Sequence, residues 1–180
     1  QEGLDTLISQ DVEHFKATKM WGAVMEVETG KILAWDCYPT FDPNILDIEN
    51  YVDLCAAMPY EPGSVMKTFV YAAAIDSGAY DYEMTYHDTG RFYIGVDSQG
   101  KLYRATSSKG YGSVVNASER SYGDVTLAQA YYRSLNCGIA TILTSVITPE
   151  IYADYLDRFG FFKKVNTDGV IDVAGTRNMT

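Results

Sequence analysis

Ser64 and Lys67, in the stretch Tyr60-Glu61-Pro62-Gly63-Ser64-Val65-Met66-Lys67-Thr68-Phe69, are residues whose types and spacing could do nucleophilic chemistry. A serine hydroxyl is a weak nucleophile at neutral pH and needs a base beside it. A lysine can be that base only when neutral, a state that burial or a second cation produces by lowering its pKa. Residues three apart on a helix share a face, with Cβ atoms roughly 5–6 Å apart, so the amine can reach the hydroxyl. The helix that must hold them is legible. Pro62 and Gly63 break the chain before Ser64. Residues 65–75 are apolar and helix-compatible, with Ala72, Ala73 and Ala74 in a row, and Gly78 is placed to end the helix. The start of that helix offers N–H groups and a positive dipole end to a developing oxyanion. Taken alone, S-x-x-K is most often an N-cap followed by a solvated side chain. The apolar helix weighs against that, because a lysine on its first turn must be paired or neutralised.

A second candidate lies downstream. Residues 126–133 (Thr-Leu-Ala-Gln-Ala-Tyr-Tyr-Arg) read as a helix leading into Ser134-Leu135-Asn136, with Asp124 a plausible N-cap. Two residues apart, Ser134 and Asn136 would not share a helix face, whereas on a loop both side chains could point into one cleft. The plain alternative is a Ser/Asn helix terminus.

Together these segments resemble the transpeptidase domain of penicillin-binding proteins, which share the serine β-lactamase fold. Ser64-Val65-Met66-Lys67 fits the first motif of that family and Ser134-Leu135-Asn136 the S-x-N form of its second. Gly22 to Trp35 resembles the family's first hairpin, and Phe41-Asp42-Pro43-Asn44 the segment after it. The Tyr-Glu-Pro-Gly-Ser lead-in is more like the monofunctional, class B members.

The resemblance implies a mixed α/β (α+β) fold of the β-lactamase/transpeptidase type: an antiparallel sheet flanked by helices, plus an all-helical region. Residues 1–40 would supply a helix and the first hairpin, and residues 60–165 a mainly helical region carrying both motifs. The implied activity is peptidoglycan D,D-transpeptidation through an acyl-serine, with β-lactams as mimics of the D-Ala-D-Ala stem peptide. Ser64 would attack the carbonyl and Lys67 take its proton. Ser134 would relay a proton to the leaving amine, and Asn136 would bind the substrate amide and help orient Lys67. No cofactor is required. The implied place is the outer face of the bacterial cytoplasmic membrane, in cell-shape or cell-division synthesis of the wall. Other readings of the same motifs are a D,D-carboxypeptidase or β-lactamase-like hydrolase, and a non-catalytic β-lactam-sensing or structural piece.

The third family motif, Lys-Thr-Gly or Lys-Ser-Gly, does not follow Asn136. Arg158-Phe159-Gly160-Phe161 resembles a family segment lying before the strand that carries it, and Val165 to Gly169 matches no recognisable pattern. The expectation is therefore the N-terminal portion of a larger domain, incomplete at its C-terminus. The family's membrane anchor and pedestal would lie upstream of Gln1. The piece alone would be inactive or nearly so, and its missing C-terminal part would be a partner. Without that part, the edge of the first hairpin would stand unpaired, inviting a homodimer or domain swap.

Composition narrows the classes. The chain has 180 residues, 47% apolar, one domain's worth of core. With 14 basic against 24 acidic residues and no basic cluster, nucleic acid is not an expected partner. Cys37, Cys55 and Cys137 lack metal-ligand spacing, and Cys137 reads as a small buried apolar residue. His14 and His87 read as surface or capping residues. No apolar run approaches the roughly 20 residues of a membrane span, and an amphipathic helix is expected from Leu4, Leu7, Ile8, Val12 and Phe15. Residues 91–96 and 101–104 alternate around Asp97-Ser98-Gln99-Gly100, a hairpin signal. The tyrosines clustered between Tyr80 and Tyr132 fit either a peptide groove or half-buried faces, with the second favoured.

Overall fold

In the computed structural model, the structure describes residues 1–40, 44, 53–107 and 110–164. The expectations placed on residues 41–43 and 165–169 lie outside the described residues. Two compact units are built on Gln1–Tyr60 and on Glu61–Lys163.

In the first unit the expected amphipathic helix forms as α1 (Glu2–Phe15), with Ile8 buried. It packs on an antiparallel pair, β1 (Met20–Met25) and β2 (Ile32–Tyr38), the expected first hairpin. The Gln1 carboxamide pins the helix start to the pair, donating to the Trp35 carbonyl at 2.8 Å and accepting the Trp35 N–H at 3.0 Å. A short helix, α2 (Leu54–Ala57), is capped by Asp53, whose carboxylate also accepts the Trp35 indole N–H at 2.7 Å. Among the described residues β1 and β2 pair only with each other.

The second unit holds both motifs. After a 3-10 turn over Gly63–Val65, α3 runs Met66–Asp76. Gly78 stands two residues beyond it at φ 73°, as expected of a C-cap glycine. The region is less purely helical than the sequence suggests. The expected hairpin is present as β4 (Arg91–Val96) and β5 (Leu102–Ala105), but β6 (Gly112–Val115) joins the other edge of β4. A further pair joins β3 (Thr85–Asp88) to β7 (Gly123–Thr126). These strands are four to six residues long, too short to show a clear period.

Three helices follow: α4 (Leu127–Tyr132), α5 (Asn136–Ser145) and α6 (Pro149–Arg158). Asp124 is not the N-cap of α4. It lies within β7 opposite His87, their side chains 2.7 Å apart at the surface. Thr126 caps instead, in a reciprocal capping box with Gln129.

The core of this unit gathers Val70, Ala73 and Ala74 from α3, Phe92 from β4, Leu127 and Ala130 from α4, and Ile142 from α5. Tyr71 and Tyr86 are buried within it, so part of the tyrosine cluster is core. The Tyr71 hydroxyl donates to the Leu127 carbonyl at 2.7 Å, tying α3 to α4. Phe69 meets the rings of Phe159 and Phe161 at 5.0 and 4.8 Å, tying α3 to the end of α6.

Helices α4 and α5 touch at Gly138. A Cβ there would stand 2.7 Å from the Ala130 Cβ, closer than packed carbons approach. Gly138→Ala should therefore destabilise the unit by about 1–3 kcal/mol, as overpacking does. Urea unfolding measures it, and an unchanged midpoint would contradict the packing described.

Candidate active site

The two sequence motifs meet. Lys67, on the first turn of α3, sends its amine to Ser134, donating to the hydroxyl at 2.9 Å and to the carbonyl at 2.6 Å. The Ser134 hydroxyl in turn donates to the Ser64 hydroxyl at 3.1 Å. Lys67 is thus joined to Ser64 through Ser134. Among the described residues no direct hydrogen bond links Ser64 and Lys67, which differs from the contact expected from their spacing. Ser64 sits in the 3-10 turn that leads into α3, and the hydrogen bonds of the lysine amine go instead to the carbonyl and hydroxyl of Ser134. Gly63 permits that turn with φ 63°.

Burial lowers the pKa of Lys67 below the ordinary lysine value. The cause is desolvation, which disfavours the charged amine. The half-buried amine is compensated by two oxygens of one residue.

That double contact depends on the backbone at Ser134. The residue has φ 53°, in the left-handed region. It is the C′ position of a Schellman turn closing α4: the Ser134 N–H bonds the Tyr131 carbonyl at 2.9 Å and the Leu135 N–H the Ala130 carbonyl at 2.8 Å. The end of α6 has the same arrangement, with Gly160 N–H to Asp157 and Phe161 N–H to Leu156, and there the left-handed residue is glycine at φ 91°. A serine in this conformation costs about 1–2 kcal/mol. Strain of this kind persists where the surroundings fix it, and such sites are often functional.

Asn136 is the first residue of α5. Its side chain is not on the same loop as Ser134, and it donates to the Val115 carbonyl at 2.7 Å. No hydrogen bond from Asn136 to Lys67 is present among the described residues. Both residues nevertheless line one apolar cavity of about 320 Å³, together with Met66, Val70, Ile139 and Tyr152.

Cys137 is buried, its thiol pushed up to about 12 chiefly by desolvation, in agreement with a small apolar role. Sequence reasoning passed over Val115, Asn116 and Asp88, which surround the start of α5. Asp88 and Asn116 belong to polar types common beside turns, and Val115 acts through its backbone carbonyl, so none stands out by type. Among the described residues no group of His, Cys, Asp and Glu could hold a metal ion, and no helix is long and apolar enough to cross a membrane.

Residues 20–178 match the family described as penicillin binding protein transpeptidase domain. The chain is 28% identical over 163 residues to the peptidoglycan D,D-transpeptidase FtsI homolog of Nephroselmis olivacea, covering 89% of this chain and 21% of that protein. It is 29% identical over 154 residues to the homolog of the same name from Chlorokybus atmophyticus, covering 84% and 22%. The chain therefore spans about a fifth of the length of these curated relatives. Among solved structures it is similar to a peptidoglycan glycosyltransferase from Burkholderia ambifaria, with TM-score 0.69, 23% identity and coverage of 98% of this chain and 48% of that one. It is also similar to the D,D-transpeptidase domain of a peptidoglycan glycosyltransferase from Eggerthella lenta, with TM-score 0.62, 23% identity and coverage of 93% and 39%. These two likenesses speak for the fold.

The strain at Ser134 is open to measurement. Ser134→Gly and Ser134→Ala both remove the hydroxyl, so their difference isolates the backbone. The glycine variant should be the more stable by about 1 kcal/mol, the left-handed penalty outweighing glycine's greater unfolded-state entropy. Equal denaturation midpoints would contradict this.

Proposed function

Because the chain belongs to the penicillin-binding protein transpeptidase domain family, matched over residues 20–178, we propose that its protein is a peptidoglycan D,D-transpeptidase working through an acyl-serine. The observation that carries this is the hydrogen-bonded run from Lys67 through Ser134 to Ser64. Each hydroxyl in it can both donate and accept, so the run can operate in either sense. With Lys67 neutral, the Ser64 O–H donates to Ser134 and the Ser134 O–H donates to the amine. As Ser64 Oγ attacks the penultimate D-alanine carbonyl, its proton passes along this path and Lys67 becomes charged. The sense then reverses: Lys67 donates to Ser134, and Ser134 gives a proton to the departing D-alanine amine. An acceptor amine of a neighbouring strand attacks the acyl-serine carbonyl, loses a proton along the same path, and restores Ser64.

Two further groups act on the substrate. The Ser64 backbone N–H is half of the oxyanion hole. With one N–H of its amide committed to Val115, Asn136 keeps its second N–H and its carbonyl oxygen for a substrate amide. β-Lactams acylate Ser64 by the same attack. The reaction takes place at the outer face of the cytoplasmic membrane, where stem peptides are exposed.

Labelling by a fluorescent penicillin tests the reading. The full-length protein should label covalently and Ser64→Ala should not; an unlabelled full-length protein, or a labelled Ser64→Ala, would overturn it. The pH profile tests the base. Only neutral Lys67 accepts a proton, so the acylation rate should rise with pH. Desolvation lowers the lysine pKa, so the rise should centre below the ordinary value of about 10.4. Lys67→Arg cannot lose its charge and should acylate about 10²–10⁴-fold more slowly throughout. A flat profile, or an active arginine variant, would contradict the assignment.

A further inference from the structure

The start of α5 is gripped by buried polar groups that the chemistry above leaves unused. Asp88, at the end of β3, is 0% exposed, and Asn116, just beyond β6, is 2% exposed. The Asn116 amide nitrogen donates to both Asp88 carboxylate oxygens at 3.0 and 3.1 Å and lies 3.4 Å from the Arg120 carbonyl. The Tyr122 N–H also donates to Asp88, at 3.0 Å. With its nitrogen so engaged, Asn116 turns its amide oxygen the other way and accepts the Cys137 N–H at 3.1 Å.

That N–H belongs to the first turn of α5, where backbone donors have no partner within the helix. The N-cap residue is Leu135, whose side chain has no acceptor to offer. Asn116 therefore caps α5 from a different element. Its chain neighbour Val115 holds the Asn136 side chain through its carbonyl. The end of β6 thus clamps Asn136 and the backbone of Cys137, next to the strained Ser134.

We propose that Asp88 and Asn116 are positioning residues for acyl transfer. The buried carboxylate fixes which way the Asn116 amide faces, and that orientation fixes the start of α5, and with it Ser134 and Asn136. The proposal rests on the reading of Ser64 as nucleophile. Asp88→Asn removes an acceptor facing two donors and frees the Asn116 amide to turn its nitrogen toward the Cys137 N–H. Asn116→Asp sets two carboxylates face to face in a buried site. In the double variant Asp88→Asn/Asn116→Asp, the new amide donates to the new carboxylate. The other carboxylate oxygen still accepts the Cys137 N–H, and the amide oxygen still accepts from Tyr122.

The four forms of the full-length protein are compared with a fluorescent penicillin, separating its dissociation constant from the acylation rate at saturation. Measurements are made where circular dichroism shows each form folded. Each single variant should lose about tenfold or more in acylation rate, the scale of unpairing a buried hydrogen-bonded group. Penicillin affinity should stay within about threefold, and the exchanged pair should recover to within about threefold of the original rate. A merely structural role would lower the unfolding midpoint and leave the rate of the folded fraction unchanged. A folded single variant acylating at the original rate overturns the proposal, as does an exchanged pair no better than the worse single. If the singles do not fold, the exchanged pair decides: folded and acylating supports the proposal, inert or unfolded overturns it. Failure of the Ser64 reading shows separately, as absence of acylation in the unaltered protein.

Discussion

The amine of Lys67 is partly withdrawn from water, and the two hydrogen bonds that compensate it both end on Ser134. An amine stripped of solvent and of partners would be costly to keep charged. The surrounding elements can be understood as what keeps those two oxygens in place. Helix α3 carries the lysine and is fixed to α4 by the Tyr71–Leu127 hydrogen bond and to the end of α6 by edge-to-face phenylalanines. Helix α4 ends in a turn that presents the carbonyl and the hydroxyl of one residue together. Helix α5 begins immediately after and is held from outside by Val115 and Asn116.

The price of that arrangement is local strain. Glycine closes the equivalent turn after α6, yet serine stands at the left-handed position after α4. A hydroxyl is needed there if Ser64 is to communicate with Lys67, and glycine has none. Stability is thus given up at a residue that touches both partners, and the buried Asp88–Asn116 pair next to it holds the adjoining helix start. Sites that break a local rule beside a rigid support are characteristic of function, not of poor folding.

Much of this was legible in the sequence, and the failures have physical causes. The helix after Pro62-Gly63, the terminal role of Gly78, the two hairpins and the N-terminal amphipathic helix follow from local signals, and the structure has them. Ser64, Lys67, Ser134 and Asn136 could be named because S-x-x-K and S-x-N are a recognisable pair. Their connectivity could not be read. Helical spacing suggested a direct Ser64–Lys67 contact, but the lysine amine bonds a residue 67 positions away and reaches Ser64 through it. Asp124 looked like a cap by type, and pairing with β3 claimed it instead. Asp88 and Asn116 were invisible for a related reason. Polar residues beside turns usually face water, and only tertiary packing of β3, β6 and α5 buries these two.

The central claim is that Lys67 and Ser134 act on Ser64 as one unit, and a double-mutant cycle on acylation tests it most directly. Residues acting in series on one proton path lose activity together, not independently. Ser134→Ala and Lys67→Ala should each slow acylation of the full-length protein by about 10²–10⁴-fold. The double variant should be no slower than about the worse single. Losses that multiply in the double variant, or a Ser134→Ala protein that acylates at the original rate, would contradict the account.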